Sequence, residues 1–170
     1  LGGSAKSTER PETSVNYEMG LRYDGAWFAE VVGFYSDFSN KGESCSNSQP
    51  CSNGAVDGTF VTGEAVIAGV ELQLGHVFET GDIAWPISLA YTYSQAEASR
   101  DSTQSGVLDG DKLASVPENT MSLRLGAQVG ARWDSYAVVK YIDSMCVKAS
   151  CNRQASPFGE TEDFVVIDLG

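Results

Sequence analysis

The order of turns and loops constrains the fold of this chain more than any other feature of its sequence. Segments in which apolar and polar residues alternate, as in strands with two different faces, are joined in turn by tight turns and by long polar loops. The short turns are Asp24-Gly25, residues 79–82 and Gly130-Ala131, and the long loops are residues 39–59, 97–117 and 144–161. The short connections therefore lie at one end of a meandering sheet and the long ones at the other.

The alternation also predicts which side chains share a face of the sheet. The first strand is clear, with Val15, Tyr17, Met19, Leu21 and Tyr23 facing one way. In the second strand we place Glu30 on the polar side, which leaves the apolar Phe28, Val32 and Phe34 on that side as well. Pro86 lies inside the fourth strand and predicts a bulge, because proline lacks the amide hydrogen of the ladder.

Sorting of connections by length is typical of outer-membrane β-barrels, in which periplasmic turns are tight and outward loops are long. The predicted strands of roughly 9 to 13 residues have the length that a tilted strand needs to cross the hydrocarbon layer. Abundant Gly, Tyr, Phe, Val and Thr favour strands and turns over helices. The sequence therefore predicts an all-β fold in which about seven antiparallel up-and-down strands form part of a large transmembrane β-barrel.

Aromatic residues follow the same pattern. Trp27, Trp85 and Trp133 each come soon after a short turn, and tyrosines concentrate toward the long-loop ends. Two such bands are typical of a barrel that spans a membrane, although aromatic residues are enriched in strands generally. The side chains on the polar side of each strand would then face a water-filled barrel interior. This polar side carries Glu18, Arg22, Glu30, Glu71, Gln73, Arg124, Gln128, Asp134, Lys140 and Asp168.

Charge and cysteine content narrow the function. A net charge of -12 disfavours nucleic acid as a partner. The four cysteines form two close pairs, Cys45 with Cys51 and Cys146 with Cys151, each inside a long loop. We expect two local disulfides and an oxidising compartment, and we expect no metal site, since the only histidine, His76, lies at the far end of a strand.

Motifs for catalysis are absent from the sequence. It contains no GxSxG, HExxH, P-loop or dinucleotide fingerprint, so we predict that the chain is not an enzyme. Asp101, Asp109 and Asp111 lack the remaining ligands of an EF-hand, and we interpret them as a solvated acidic loop. His76 is interpreted as an ordinary residue near the membrane boundary.

Three stretches carry a resemblance to a known family. They are PETSVNYEMGLRYDGAW at 11–27, GVELQLG at 69–75 and LASVPENTMSLRLG at 113–126. Together, in this order and spacing, they resemble strands of TonB-dependent outer-membrane receptors, and within that family the ferric-citrate type of siderophore receptor. The resemblance implies a barrel of about 22 strands with an N-terminal plug. Residues 1–14 would then be a loop leading into the barrel and 15–170 a partial barrel, with the plug and the last strands outside this chain.

The resemblance also implies a function. Such a receptor would take up a ferric siderophore or ferric citrate across the outer membrane of a Gram-negative bacterium. Its partners would be the chelate, outer-membrane lipid and the TonB complex, the last through the missing N-terminal region. Iron would be a chelated substrate, and no cofactor is expected.

Ligand contacts are expected from the long loops and from side chains that face the lumen near the loop end of the strands. The candidates, chosen by strand alternation and by height along the barrel, are Arg124, Asn119 and Gln73. Arg124 is the first of them, because a guanidinium suits the carboxylates of an anionic chelate. The alternative for Arg124 is a salt bridge with a neighbouring Glu inside the barrel. For the whole chain, the alternatives are a passive porin-like or structural outer-membrane barrel and a secreted soluble β-sandwich held by two disulfides.

Overall fold

Seven strands follow one another across one antiparallel sheet, each paired with the strands before and after it in the chain. The computed structural model describes residues 11–45, 58–101, 107–147, 151 and 159–170. The strands are β1 (Thr13–Asp24), β2 (Phe28–Cys45), β3 (Gly58–Thr80), β4 (Ile83–Ala98), β5 (Asn119–Val129), β6 (Trp133–Ile142) and β7 (Phe164–Leu169). The predicted all-β, up-and-down order is confirmed. No helix in the described ranges is long and apolar enough to span a membrane.

Three strands are longer than predicted. β2 has 18 residues, β3 has 23 and β4 has 16. The extra length of β2 and β3 comes from the predicted first loop, where Gly42 pairs with Val61 and Cys45 with Gly58 beyond a shift in register. Backbone pairing satisfies the amides and carbonyls of this polar segment, so it is strand despite its loop-like composition. β1 likewise begins two positions before the predicted boundary, at Thr13.

The two faces of the sheet are those predicted. Arg22, Glu30 and Gln73 lie side by side in register, and the Arg22 guanidinium donates to both carboxylate oxygens of Glu30, with the shortest N–O distance 2.8 Å. On the opposite side the rings of Tyr17 and Tyr35 have centroids 6.5 Å apart. We call the face with Arg22 the polar face and the face with Tyr17 the apolar face. Phe28 and Phe34 lie on the polar face, as the parity of Glu30 required.

The predicted bulge at Pro86 is wrong. Pro86 pairs with Val77 in an unbroken ladder, and the register of β4 against β5 is the same at Ala84 and at Ile87. That register places Gly126 opposite Pro86, and a Cβ on Gly126 would lie only 2.7 Å from the Cγ of the proline. The missing side chain makes room for the ring, so the strand keeps its register.

The apolar face has no second layer against it in the part of the chain that the structure describes. Met19 and Leu21 are 82% and 76% exposed. The buried hydrophobic residues of the described chain are three alanines and one cysteine near the loop end of the sheet, namely Ala65, Ala96, Ala98 and Cys146. A soluble β-sandwich requires its apolar faces to pack together in a dry core. This sheet instead leaves its apolar stripe open, as a face in contact with lipid would be.

The second long loop folds back on β4 instead of extending into solvent. The amide of Ala98 donates to the carbonyl of Asp111 at 2.8 Å, and the amide of Leu113 donates to the carbonyl of Ala96 at 2.9 Å. Asp111 is fully buried, and its carboxylate accepts from the amide of Leu108 at 2.7 Å. The predicted solvated acidic loop is therefore wrong for Asp111, because β4 extends past the start of β5 and loop residues pair with it.

The third long loop is tied to the second through a disulfide-bonded cysteine. Cys146 and Cys151 form the predicted disulfide, with Cα atoms 5.7 Å apart, and the carbonyl of Cys146 accepts from the amide of Ser115 at 2.8 Å. Glu160 pairs with Cys146 in an isolated antiparallel bridge. The pairing predicted between Cys45 and Cys51 lies outside the described residues. The disulfide thus closes a small ring within the third loop, and the backbone of Cys146 links that loop to the second.

We expect removal of this disulfide to loosen the loop end and leave the sheet folded. Closing so short a loop contributes about 2 kcal/mol through chain entropy, and the effect is local because the ladder of β1 to β6 does not involve it. Hydrogen exchange of the complete protein measures this. In a Cys146→Ser/Cys151→Ser variant the amides of Val147 and Thr161 should lose protection, whereas those of β3 should not. Loss of protection throughout the sheet would contradict the prediction.

Candidate functional site

Arg124 lies near the middle of the polar face, on β5. It is opposite Ser88 of β4 and Val138 of β6. Its guanidinium carbon lies 4.6 Å from the centroid of the Tyr136 ring, which is within the range of a cation–π contact. Arg124 also lines an open groove of about 460 Å³ together with Ser88 and with Gly25 of the first short turn, so the groove lies toward the turn end of the sheet and not at the loop end predicted for the ligand contacts. A long, exposed cation beside a groove can reach a bound anion.

The other cations of the polar face have acidic partners. Arg22 is bound by Glu30, and the Lys140 ammonium lies 3.3 Å from the carboxylate of Asp168. Among the residues that the structure describes, Arg124 forms no ion pair. The salt bridge considered as an alternative role for Arg124 is therefore found at Arg22 and Lys140 instead. The N–H donors of Arg124 face no carboxylate within this segment.

Gln73 shares the polar face with Arg124. It pairs with Glu30 of β2 and with Ala90 of β4. Ala90 in turn pairs with Ser122 of β5, which is two residues closer to the loop end than Arg124. Its side chain is exposed. The structure thus brings two of the three candidate residues to one face.

Asn119 lies at the loop end but on the apolar face. It has the same parity as Met121, and the hydroxyl of Tyr91 donates to its side-chain oxygen at 2.7 Å. Its amide nitrogen donates to the carboxylate of Asp143, also at 2.7 Å. The structure therefore does not place Asn119 with Arg124 and Gln73, and the luminal parity assigned to it was wrong. Its predicted height near the loops is correct.

Asp143 follows β6 and is the charged member of this cluster. The hydrogen bond from Asn119 lowers the pKa of Asp143, and the amide of Ser144 and the hydroxyl of Tyr141 act in the same direction. A carboxylate whose pKa is lowered by folding contributes stability above its ordinary pKa of about 3.9. This contribution is lost as the pH falls through the lowered value. The cluster should therefore hold at neutral pH and open only in acid.

We expect an Asn119→Ala variant to open this loop end at a higher pH than the wild type. Without the amide donor the pKa of Asp143 returns toward its ordinary value, so the carboxylate becomes protonated earlier during acidification. The measurement is hydrogen exchange at 143–147, corrected for intrinsic rates, from about pH 6 to about pH 2. A Gln73→Ala variant is the control, because Gln73 lies on the other face. The same opening pH in Asn119→Ala and wild type would contradict the prediction.

Aromatic residues form two bands on the apolar face. At the turn end the ring of His76 stacks on Trp27 with centroids 4.3 Å apart, and Phe78 meets both rings edge-on. Trp85 pairs with Phe78, and Trp133 begins β6 beside Val129. Tyrosines, among them Tyr17 and Tyr35, lie toward the loop end. The sequence predicted the tryptophans of the turn-end band, but the place of His76 in it depends on a contact between two strands.

Comparison with known proteins identifies the architecture. A family model described as TonB dependent receptor-like, beta-barrel, matches residues 3–170. The chain superposes with a TM-score of 0.68 and 18% identity on the ferric yersiniabactin uptake receptor FyuA of Yersinia pestis, covering 93% of this chain and 22% of that one. No curated protein sequence matches the chain.

Two further solved structures show the same fold. The FrpB iron transporter of Neisseria meningitidis gives a TM-score of 0.63 at 17% identity, over 95% of this chain and 24% of that one. The ferric-catecholate import receptor Fiu of E. coli K12 also gives 0.63, at 22% identity, over 99% of this chain and 23% of that one. The chain thus spans less than a quarter of the length of these structures.

Proposed function

Because this chain belongs to the TonB-dependent receptor-like β-barrel family, we propose that it is part of the wall of an outer-membrane transporter for a ferric siderophore or ferric citrate. The complete receptor would reside in the outer membrane of a Gram-negative bacterium and would draw energy from the TonB complex through a region outside this chain. The iron would enter as the chelated substrate.

The open apolar face is the observation that carries this proposal. In each of β1 to β7, alternate side chains form an apolar face on one side of a single sheet. This face lies between two aromatic bands and has no second layer against it in the described residues. Lipid is the solvent that such a face requires, since water would leave it uncovered at a large cost in free energy. The charged side chains of the polar face then line a wet lumen.

The lumen would contribute to ligand capture through Arg124, with Gln73 two strands away on the same face. A guanidinium with unused donors suits carboxylate or other oxyanion groups, and so favours a chelate that carries negative charge, such as ferric citrate. Among the similar proteins, FrpB transports iron, FyuA takes up ferric yersiniabactin and Fiu imports ferric catecholates. A further similar protein, OprC, is a copper transporter, with a TM-score of 0.62 at 21% identity over 95% of this chain and 23% of that one. The cargo of these proteins supports a metal or a metal chelate as the substrate class.

Uptake by cells tests the proposal directly. The complete receptor would be expressed in a Gram-negative host that lacks its own siderophore receptors, with TonB either present or deleted. Labelled iron would be offered as ferric citrate, as a hydroxamate complex and as a catecholate complex, and copper would be offered separately. We expect saturable uptake of at least one ferric chelate in the cells that have TonB and its loss in the cells that lack TonB.

A passive porin-like barrel predicts a different result. It shares the strands, the aromatic bands and the polar lumen, but transport through it would not saturate and would not depend on TonB. Equal uptake with and without TonB would therefore replace the proposed function by this alternative. Failure to take up any ferric chelate, with the receptor present in the outer membrane by immunoblot, would overturn the iron assignment. Uptake of copper alone would move the cargo to a different metal.

A further inference from the structure

Tyr136 has glycine beside it on both neighbouring strands. On the β5 side it lies opposite Gly126. On the β7 side it exchanges two backbone hydrogen bonds with Gly170, its amide donating at 2.7 Å and its carbonyl accepting at 3.0 Å. No side chain on either partner therefore stands directly beside its ring.

The ring uses this space. A Cβ on Gly170 would lie 2.6 Å from the Cζ of Tyr136, so the ring lies against the backbone of that glycine. The space above Gly126 is filled by Pro86 of β4, whose Cγ lies 2.7 Å from the position that a Cβ on Gly126 would take. The tyrosine ring is thus held on the polar face between β5 and β7, where the guanidinium of Arg124 contacts it at 4.6 Å.

A guanidinium over an aromatic ring keeps its N–H groups available. The attraction acts between the cation and the ring, whereas the five donors lie in the plane of the guanidinium and can still bind an anion. Arg22 differs in this respect, because it donates to both oxygens of Glu30. Among the described residues, the Tyr136 ring is the group that the Arg124 guanidinium lies over.

We infer that Tyr136 is a positioning residue for Arg124, holding the guanidinium against the barrel wall with its donors directed at an anionic group of the chelate. The inference rests on the proposed function, because it names how the capture site of that transporter is organised. The inference assigns a role to an uncharged residue that does not contact the chelate itself and acts by positioning Arg124.

Substitutions at Tyr136 in the complete receptor test this inference. Tyr136→Leu removes the ring and should raise the half-saturation concentration for ferric citrate about fivefold, as expected for loss of a cation–π contact. Tyr136→Phe keeps the ring and should remain within about twofold of the wild type. Tyr141→Leu, on the same strand but on the apolar face, is the matched control and should have no effect on half-saturation when uptake is normalised to receptor in the outer membrane.

A second arm separates positioning from independent contact. In an Arg124→Ala background, Tyr136→Leu should cause no further loss, because the residue that the ring positions is already absent. The inference is overturned if Tyr136→Leu has no effect in the wild-type background, if Tyr136→Phe is as weak as Tyr136→Leu, or if the loss from Tyr136→Leu is the same without Arg124. Failure of the wild-type receptor to take up any chelate would overturn the proposed function, and this inference with it. Normal wild-type uptake with unaffected Tyr136 variants would overturn this inference alone.

Discussion

Replacement of Gly69 by alanine should destabilise the complete protein by about 2 kcal/mol or more, in the range typical of overpacked sites. Gly69 is on the polar face of β3, opposite Phe34 of β2 and Ser94 of β4. A Cβ at this position would collide with the carbonyl oxygen of Tyr93 and would lie 2.6 Å from the Cζ of Phe34. The ring can move, but the carbonyl belongs to the β4 backbone and cannot shift without disturbing the ladder.

Unfolding of the receptor by denaturant in detergent micelles measures this effect. Gly33→Ala is the matched control, since Gly33 is on β2 and the nearest atom to its Cβ would be the carbonyl oxygen of Met19 at 3.9 Å. We expect the control to stay within about 0.5 kcal/mol of the wild type. Equal stability of the two variants would show that the strands separate at Gly69 at little cost. Adding Phe34→Ala to Gly69→Ala should restore only part of the loss, because the clash with the carbonyl remains.

Replacement of Arg124 by alanine should raise the half-saturation concentration for uptake of an anionic ferric chelate about tenfold or more. A hydrogen bond to a charged group is worth about 1.5–3 kcal/mol, and about 1.4 kcal/mol corresponds to a factor of ten in affinity. Arg124→Lys should be intermediate, because it keeps the charge but loses the planar fork. The measurement is uptake of ferric citrate over a range of concentrations, normalised to receptor in the outer membrane.

Arg22→Ala is the matched control for this experiment. Arg22 is also an arginine of the polar face, but its donors are engaged by Glu30. We expect it to leave half-saturation nearly unchanged. Unchanged uptake of every ferric chelate by Arg124→Ala would remove Arg124 from the capture site. An equal loss in both variants would indicate that the positive charge of the wall acts over a distance and that neither arginine makes a specific contact.

The arrangement of the site would allow a mostly acidic chain to contribute to capture of the anionic cargo proposed above. Two of the polar-face cations, Arg22 and Lys140, are neutralised locally by Glu30 and Asp168. Arg124 is instead stacked on an uncharged ring. For the proposed capture, the net charge of -12 is therefore less relevant than Arg124, which among the described residues of the polar-face strands is the cation without a carboxylate partner.

The sequence was least informative where contacts depend on more than one strand. The side-chain partners of Asn119 are one example, because Tyr91 and Asp143 come from β4 and from the segment after β6. Its face, in contrast, already follows from alternation with Met121 within β5. The buried state of Asp111 depends on the loop folding back on β4. The bulge expected at Pro86 is absent because Gly126 lies opposite, which only the register reveals.

What the sequence determined by itself is the set of properties that repeat locally: seven strands, their order, the faces of side chains such as Glu30 and Arg124, and the tryptophans of the turn-end band. These follow from the two-residue period of a strand and from turn chemistry, which act between near neighbours in the chain. The tertiary structure decided how far β2 and β3 extend, which residues bind the side chain of Asn119, and that the ring of Tyr136 lies next to Arg124. Each of these depends on the register between strands, and register brings together residues that are far apart in the sequence.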